Sequence, residues 1–275
     1  MVYLSVNGHA DAMPPDLHAL IDDLRDEQAE LRDLLQPLSA DAWDAPTPSP
    51  GWTVLHQVRH LAHGEVLGRL AATDPDAFAA ELTRMLDDLA GLEAATTAPN
   101  DVDPPASAMR RWWREAEALR TAVASGPPSG PIDWITGPMS RASFLTARLM
   151  ETFAHGHDIA TAVGVERPAT DRLRHVAHLG VATRGFAFTN LGLAPPEGAA
   201  RVELEAPGGG RWTWGPDDAP DVVRGPALDF CLLVTKRRHR GDTALEAGGP
   251  NAERWLGIAQ CFAGAPTDGP APSPV

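Results

Sequence analysis

The sequence predicts a mainly α protein, a helical bundle followed by a small α+β part. Three observations predict it. Apolar residues recur at helical spacing in long segments up to Val163. Pro- and Gly-rich breaks, not strand signals, separate those segments. After Pro168 the pattern changes to short alternating runs joined through Gly208-Gly209-Gly210. We place a flexible lead-in at 1–15, the bundle at 16–168, the α+β domain at 169–264 and a disordered Pro/Gly/Ser-rich tail at 265–275.

The first helix carries Leu17, Leu20, Ile21, Leu24, Leu31, Leu34 and Leu35 at helical spacing, and Pro37 ends it. Pro46, Pro48 and Pro50 impose an extended loop before Gly51-Trp52-Thr53, where Thr53 caps a second helix with Val54, Leu55, Val58 and Leu61 inward. A third helix spans 76–94, and a fourth, 107–124, carries Trp112 and Trp113. These two rings point about 100° apart, one inward and one at an interface. A Gly/Pro loop holds Trp134, and Ser140 caps a long last helix through Val163. We read Trp52 and Trp134, beside loops at the bundle mouth, as core packing, with the lining of a pocket as the alternative. Beyond Pro168 come a helix to Asn190, a hairpin of 201–205 and 211–214, a strand at 221–225, a helix over 226–237, a strand at 243–246 and a helix over 252–263.

Composition narrows the function classes. The 275 residues carry a formal charge of −14 at pH 7, with 43% hydrophobic residues. So acidic a surface argues against a nucleic-acid partner, which needs a cationic footprint. No apolar run reaches the roughly eighteen residues that span a membrane, and no signal peptide is evident. The expectation is a soluble cytoplasmic protein, monomer or homodimer, acting on a small molecule. Cys231 and Cys261 sit in apolar helical patterns and read as buried free thiols.

Glu151 and His155 lie four residues apart in the long last helix, so carboxylate and imidazole share a face. His157 lies roughly 200° around the axis from His155, so the phase of Glu151 selects His155. His56, His60 and His63 on the second helix offer a third ligand, and the spacing alone leaves them open. Asp158 reads as a surface or capping residue, or as an acceptor behind an imidazole.

The stretch Pro46-Thr47-Pro48, Gly51-Trp52-Thr53-Val54 and His60-Leu61-Ala62-His63-Gly64-Glu65, followed by Glu151-Thr152-Phe153-Ala154-His155-Gly156-His157-Asp158, resembles the DinB-like superfamily. Within it, the chain resembles the mycothiol-dependent maleylpyruvate isomerase type, in an actinobacterial branch. The resemblance implies a DinB-like four-helix bundle that holds a divalent metal through His60, Glu151 and His155. Zn2+ is favoured, with Ni, Mn or Fe as other occupants, and mycothiol is implied as cosubstrate. Residues 170–264 resemble a sterol-carrier-like α+β domain. The segment from Pro226 to His239 resembles a helix ending in an arginine used for substrate; Arg237 is the best match and Arg238 the second, with Lys236 where glycine is usual.

Two His and one Glu leave coordination positions open, as in catalytic zinc sites. Such an ion activates a thiol or water, which implies an isomerase or thiol transferase acting on a carboxylate or enone-like substrate. A metal-water hydrolase, lyase or cyclase of secondary metabolism, and a non-catalytic metal-binding regulator, are the competing readings. Arg237, Arg238 and Arg240 are candidate carboxylate binders, or charges complementing a helix dipole.

Overall fold

The computed structural model describes residues 16–99, 101–126 and 130–274, and divides into two compact units, one up to Arg167 and one from Pro168. The expected lead-in at 1–15 lies outside the described residues.

In the first unit, α1 (Leu17–Leu35), α3 (Val54–Thr73), α6 (Pro105–Ser125) and α7 (Arg141–Ala162) form a four-helix bundle in which α1 and α3 each contact both α6 and α7. Asp16 caps α1 by accepting from the His18 and Ala19 amides. Leu20, Leu24, Leu31 and Leu35 turn its apolar stripe fully inward. Trp112 of α6 is fully buried, whereas Trp113 lies under the Arg32 guanidinium, 4.1 Å from its carbon. Around Trp112, a core of Val54, Leu55, Val58, Leu61 and Ile159 joins α3, α6 and α7.

Several connections carry more structure than expected. Ser39 caps a short α2 (Ala40–Trp43) before the proline loop. The helix expected over 76–94 is two, α4 (Pro75–Asp87) and α5 (Leu89–Thr96). The break falls at Asp88, whose backbone leaves the helical region and whose carboxylate caps α5 through the Gly91 amide at 2.8 Å. The Gly/Pro loop before α7 contains a hairpin of β1 (Ile132–Trp134) and β2 (Gly137–Met139), with Gly137 at φ 108 making the turn.

In the second unit, Thr183 divides the expected long helix into α8 (Leu173–Ala182) and α9 (Arg184–Thr189). A four-stranded sheet has the order β4-β3-β5-β6 from β3 (Ala200–Glu205), β4 (Arg211–Trp214), β5 (Asp221–Pro226) and β6 (Glu246–Gly248). β3 pairs with β4 as the antiparallel hairpin and with β5 in parallel. Helix α10 (Ala227–Val234) ends before the expected 237 because Lys236 takes a left-handed backbone at φ 61, from which Arg237 N–H donates back to Leu232 O at 2.7 Å. That conformation favours glycine, the residue usual at this position in the resembled helix. The last strand starts three residues later than expected, after a 3₁₀ turn at Arg240–Asp242, and α11 (Ala252–Ile258) is shorter than expected. Residues 265–274, expected to be disordered, form no helix or strand; Thr267 donates to Gln260 and Ser273 to Asp242. Cys231 and Cys261 are both buried, and neither is in a disulfide.

Candidate metal centre

Helices α3 and α7 build the site. Thr53 starts α3 with a capping box in which His56 stands at the third helical position: Thr53 Oγ1 accepts from the His56 amide, and Thr53 N–H donates to His56 Nδ1 at 3.2 Å. That assigns His56 to the cap. His63 contacts Met85 Sδ at 3.3 Å, and burial lowers the basicity of both imidazoles. His60 is the third histidine, and it faces α7.

There His60 Nε2 lies 3.5 Å from Glu151 Oε2, and His155 Nε2 lies 3.3 Å from the same oxygen. One ligand atom from each of the three residues falls within 4.8 Å of the others, the spacing of donors around a single ion. The side chains grade outward, from His155 at 12% exposed through Glu151 at 24% to His60 at 39%. The open side of the group is therefore the His60 side. Burial alone would push the Glu151 carboxyl up, but hydrogen bonds from His155 and His60, with the charges of His155 and Arg148, hold it well below the usual carboxylate range. His157 points elsewhere and stacks on Phe153, with centroids 6.4 Å apart.

Behind His155 stands a polar chain that the sequence reading missed. Gln57, fully buried on α3, donates through Nε2 to Thr47 Oγ1 at 2.8 Å and to Asp158 Oδ2 at 3.4 Å. Its two amide hydrogens thereby engaged, Gln57 turns Oε1 to His155 Nδ1, with which it is in hydrogen-bond contact. With Gln57 Oε1 accepting from Nδ1–H, Nε2 is the ring nitrogen left to face Glu151 and an ion, as a metal ligand needs. Asp158, read as a surface or capping residue or as an acceptor behind an imidazole, is 2% exposed, accepts from Ser49 Oγ at 3.0 Å, and lies 4.0 Å from His155 Nδ1. Its burial follows from its place one turn beyond His155 on the inner face of α7. Trp52 covers the imidazoles, 5.1 Å from His60 and stacked at 6.0 Å and 20° on His155. Of the two readings of this tryptophan, core packing and pocket lining, its place against the imidazoles fits the second.

The donor set fits a divalent ion. It offers two imidazole nitrogens and one carboxylate oxygen, with His155 oriented from behind and the group open on one side. In the second unit, Arg238 pairs with Asp229, and Arg237 Nη1 donates to Thr235 O at 2.6 Å.

Residues 24–160 match the family profile described as the mycothiol maleylpyruvate isomerase N-terminal domain, and residues 196–247 match one described as wyosine base formation. Two uncharacterized proteins of Mycobacterium tuberculosis, from strains CDC 1551 and H37Rv, are each 44% identical over 247 residues, spanning 90% of this chain and 96% of theirs. The crystal structure of the mycothiol-dependent maleylpyruvate isomerase is similar in fold, with TM-score 0.54 at 16% identity, covering 90% of this chain and 95% of that one. A histidine-to-alanine mutant of that isomerase gives TM-score 0.53 at 17% identity over the same shares. No helix among the described residues is long and apolar enough to cross a membrane. The chain belongs to the mycothiol maleylpyruvate isomerase family of DinB-like proteins, with the helical domain followed by an α+β part.

Proposed function

We propose that the chain is a divalent-metal-dependent enzyme of the mycothiol-dependent isomerase or thiol-transferase type, with a small carboxylate or enone-like substrate. One observation carries the reading: His60, Glu151 and His155 converge on one point in a bundle of this family. When bound there, a zinc-like ion supplies Lewis acidity that keeps a thiol in its nucleophilic thiolate form near neutral pH.

The chain's own residues do the rest. Glu151 gives the donor set one negative charge, and Gln57 fixes the His155 tautomer. Trp52 shields the imidazoles from water on one side and leaves the His60 side for substrate. Isomerisation requires a thiol sulfur to add to one carbon of an activated double bond, the resulting single bond to rotate, and elimination to return the thiol. Arg237 and Arg238, in the second unit, are the carboxylate binders that the family resemblance implies; Arg237 now donates to Thr235 O and Arg238 pairs with Asp229.

Replacing His60 by Ala tests the ligand set. Metal analysis should find stoichiometric metal in the wild type and none in His60→Ala, with the same helical circular dichroism in both. Equal metal content in the two proteins refutes the ligand assignment. Turnover that persists after small thiols are removed refutes the thiol-dependent part.

A further inference from the structure

We propose that Arg148 forms an anion-binding subsite on the inner side of this centre, one that takes the carboxylate of a small organic acid. The inference rests on the reading above for the reacting end of the substrate, and it names the group at the other end.

Arg148 precedes Glu151 by three residues on α7, and Gly64 follows His60 by four on α3. Both therefore lie about one helical turn, ~5 Å, deeper than the ligands. The two residues meet there, because a Cβ on Gly64 would fall 2.7 Å from Arg148 Nη2. Glycine thus makes the slot that the guanidinium occupies. The Trp134 ring bounds it, its centroid 5.8 Å from the guanidinium carbon.

Within this slot Arg148 is 5% exposed, and its buried Nε has no hydrogen-bond partner. The carboxylate paired with it, Glu65, keeps Oε1 3.8 Å from that nitrogen, beyond hydrogen-bond distance. Glu65 Oε1 instead accepts from Gln28 Nε2 at 3.1 Å, and Arg120 donates to the other end of the Gln28 amide. Two guanidinium groups thus act on the fully buried Glu65, and the charge of Arg148 also reaches Glu151. An arginine placed only to neutralise Glu65 would close to hydrogen-bond distance, as Arg167 does on Glu27 at 2.6 Å in the same unit. Arg148 instead holds donors in a planar fork that matches a carboxylate. A ligand that reaches from the metal donors to this fork is short, with its carboxylate about three to four bonds from the reacting carbon.

Succinate is a suitable probe, since it has no double bond to isomerise, and its neutral diamide is the control. Calorimetric titration of the full chain supplemented with zinc should show succinate binding that weakens ~10-fold or more in Arg148→Met, the loss of one charge-assisted contact. Gly64→Ala, which retains the arginine but fills its slot, should also weaken it, while the diamide is unaffected. The double variant Arg148→Met/Glu65→Gln removes both charges together and replaces Arg148→Met if that protein does not fold. Equal succinate affinity in wild type and folded variants overturns the subsite, as does no succinate binding by wild type or equal weakening of the diamide. Zinc uptake without an Arg148 effect refutes the subsite alone. An Arg148 effect in a wild-type background that takes up no zinc upholds the subsite and refutes the metal reading.

Discussion

Gln57→Leu isolates the orientation of a ligand from the ligand itself. Leucine has nearly the volume of glutamine, and position 57 is fully buried, so the substitution removes the amide without opening a cavity. Three contacts disappear: His155 Nδ1 loses its acceptor, and Thr47 and Asp158 lose a donor. Thr47 still donates to Trp52 O at 2.9 Å, and Asp158 still accepts from Ser49 at 3.0 Å, so only the imidazole is stranded. Removing the acceptor behind a metal-bound histidine costs about 10- to 100-fold in metal affinity, or roughly 1.4–2.8 kcal/mol. Asp158 lies 4.0 Å from the same nitrogen and is placed to take over part of the role, which sets the expectation at the lower end. Stability of the metal-free protein should fall by only about 1 kcal/mol, the worth of the Gln57–Thr47 bond. Competition with a chromogenic chelator gives the affinity, and urea unfolding of the chelated protein gives the stability. Wild-type zinc affinity in Gln57→Leu would refute the orienting role of the amide.

Further outcomes follow from buried charge and thiols. Arg167 joins Glu27 at 2.6 Å and Glu30 at 2.8 Å, so Arg167→Ala removes the guanidinium that pairs with the buried Glu27 and should cost about 3–5 kcal/mol in urea unfolding. Burial pushes the Glu65 carboxyl up despite Arg148 and Arg120, so the native state holds that proton more tightly than the unfolded chain does. Stability is then lost as pH rises above the ordinary glutamate range, and Glu65→Gln should gain on wild type between pH 4 and pH 8 in parallel unfolding curves. Burial also raises the Cys231 thiol, and Cys261 is buried too, so a thiol reagent such as DTNB should label neither cysteine until the protein unfolds.

The helices with one clean apolar stripe were legible because packing and propensity agree there. Thr53 and Ser140 marked the starts of α3 and α7 through their caps. The Glu151–His155 pair was equally legible, since its spacing is a property of one helix. What stayed hidden depends on other segments. Strands β1 and β2 are three residues each, too short to show an alternating pattern within a Gly/Pro run. Gln57 and Arg148 are polar residues on inward faces, and a reading that sends polar side chains to solvent overlooks them. The available signal was phase: Gln57 and Arg148 lie three residues before His60 and Glu151, on the faces that carry those ligands. The α10 terminus was missed because a lysine does not announce the left-handed position that Lys236 occupies; the glycine usual there in the resembled helix was the available signal.

The division between local and tertiary information also explains why the third ligand comes from α3. Glu151 and His155 stay together wherever α7 is placed, whereas His60 reaches them only if α3 approaches α7 in one register. That register is set along one strip of α3 at four-residue intervals: His60, Gly64 and Gly68. At Gly64 a Cβ would meet the end of a flexible arginine, which can move aside. At Gly68 it would come within 3.0 Å of Phe144 Cζ and 3.2 Å of Leu119 Cδ2, and the Phe144 ring is already held edge-on by Trp134 at 5.2 Å. Gly68 therefore fixes the closeness of the two helices, and Gly64 turns the resulting space over to Arg148. Along this strip the contact passes from metal donors through a guanidinium to a closed aromatic layer in two helical turns. A ligand entering beside His60 meets charge before it meets packing, and the aromatic layer limits how long it can be.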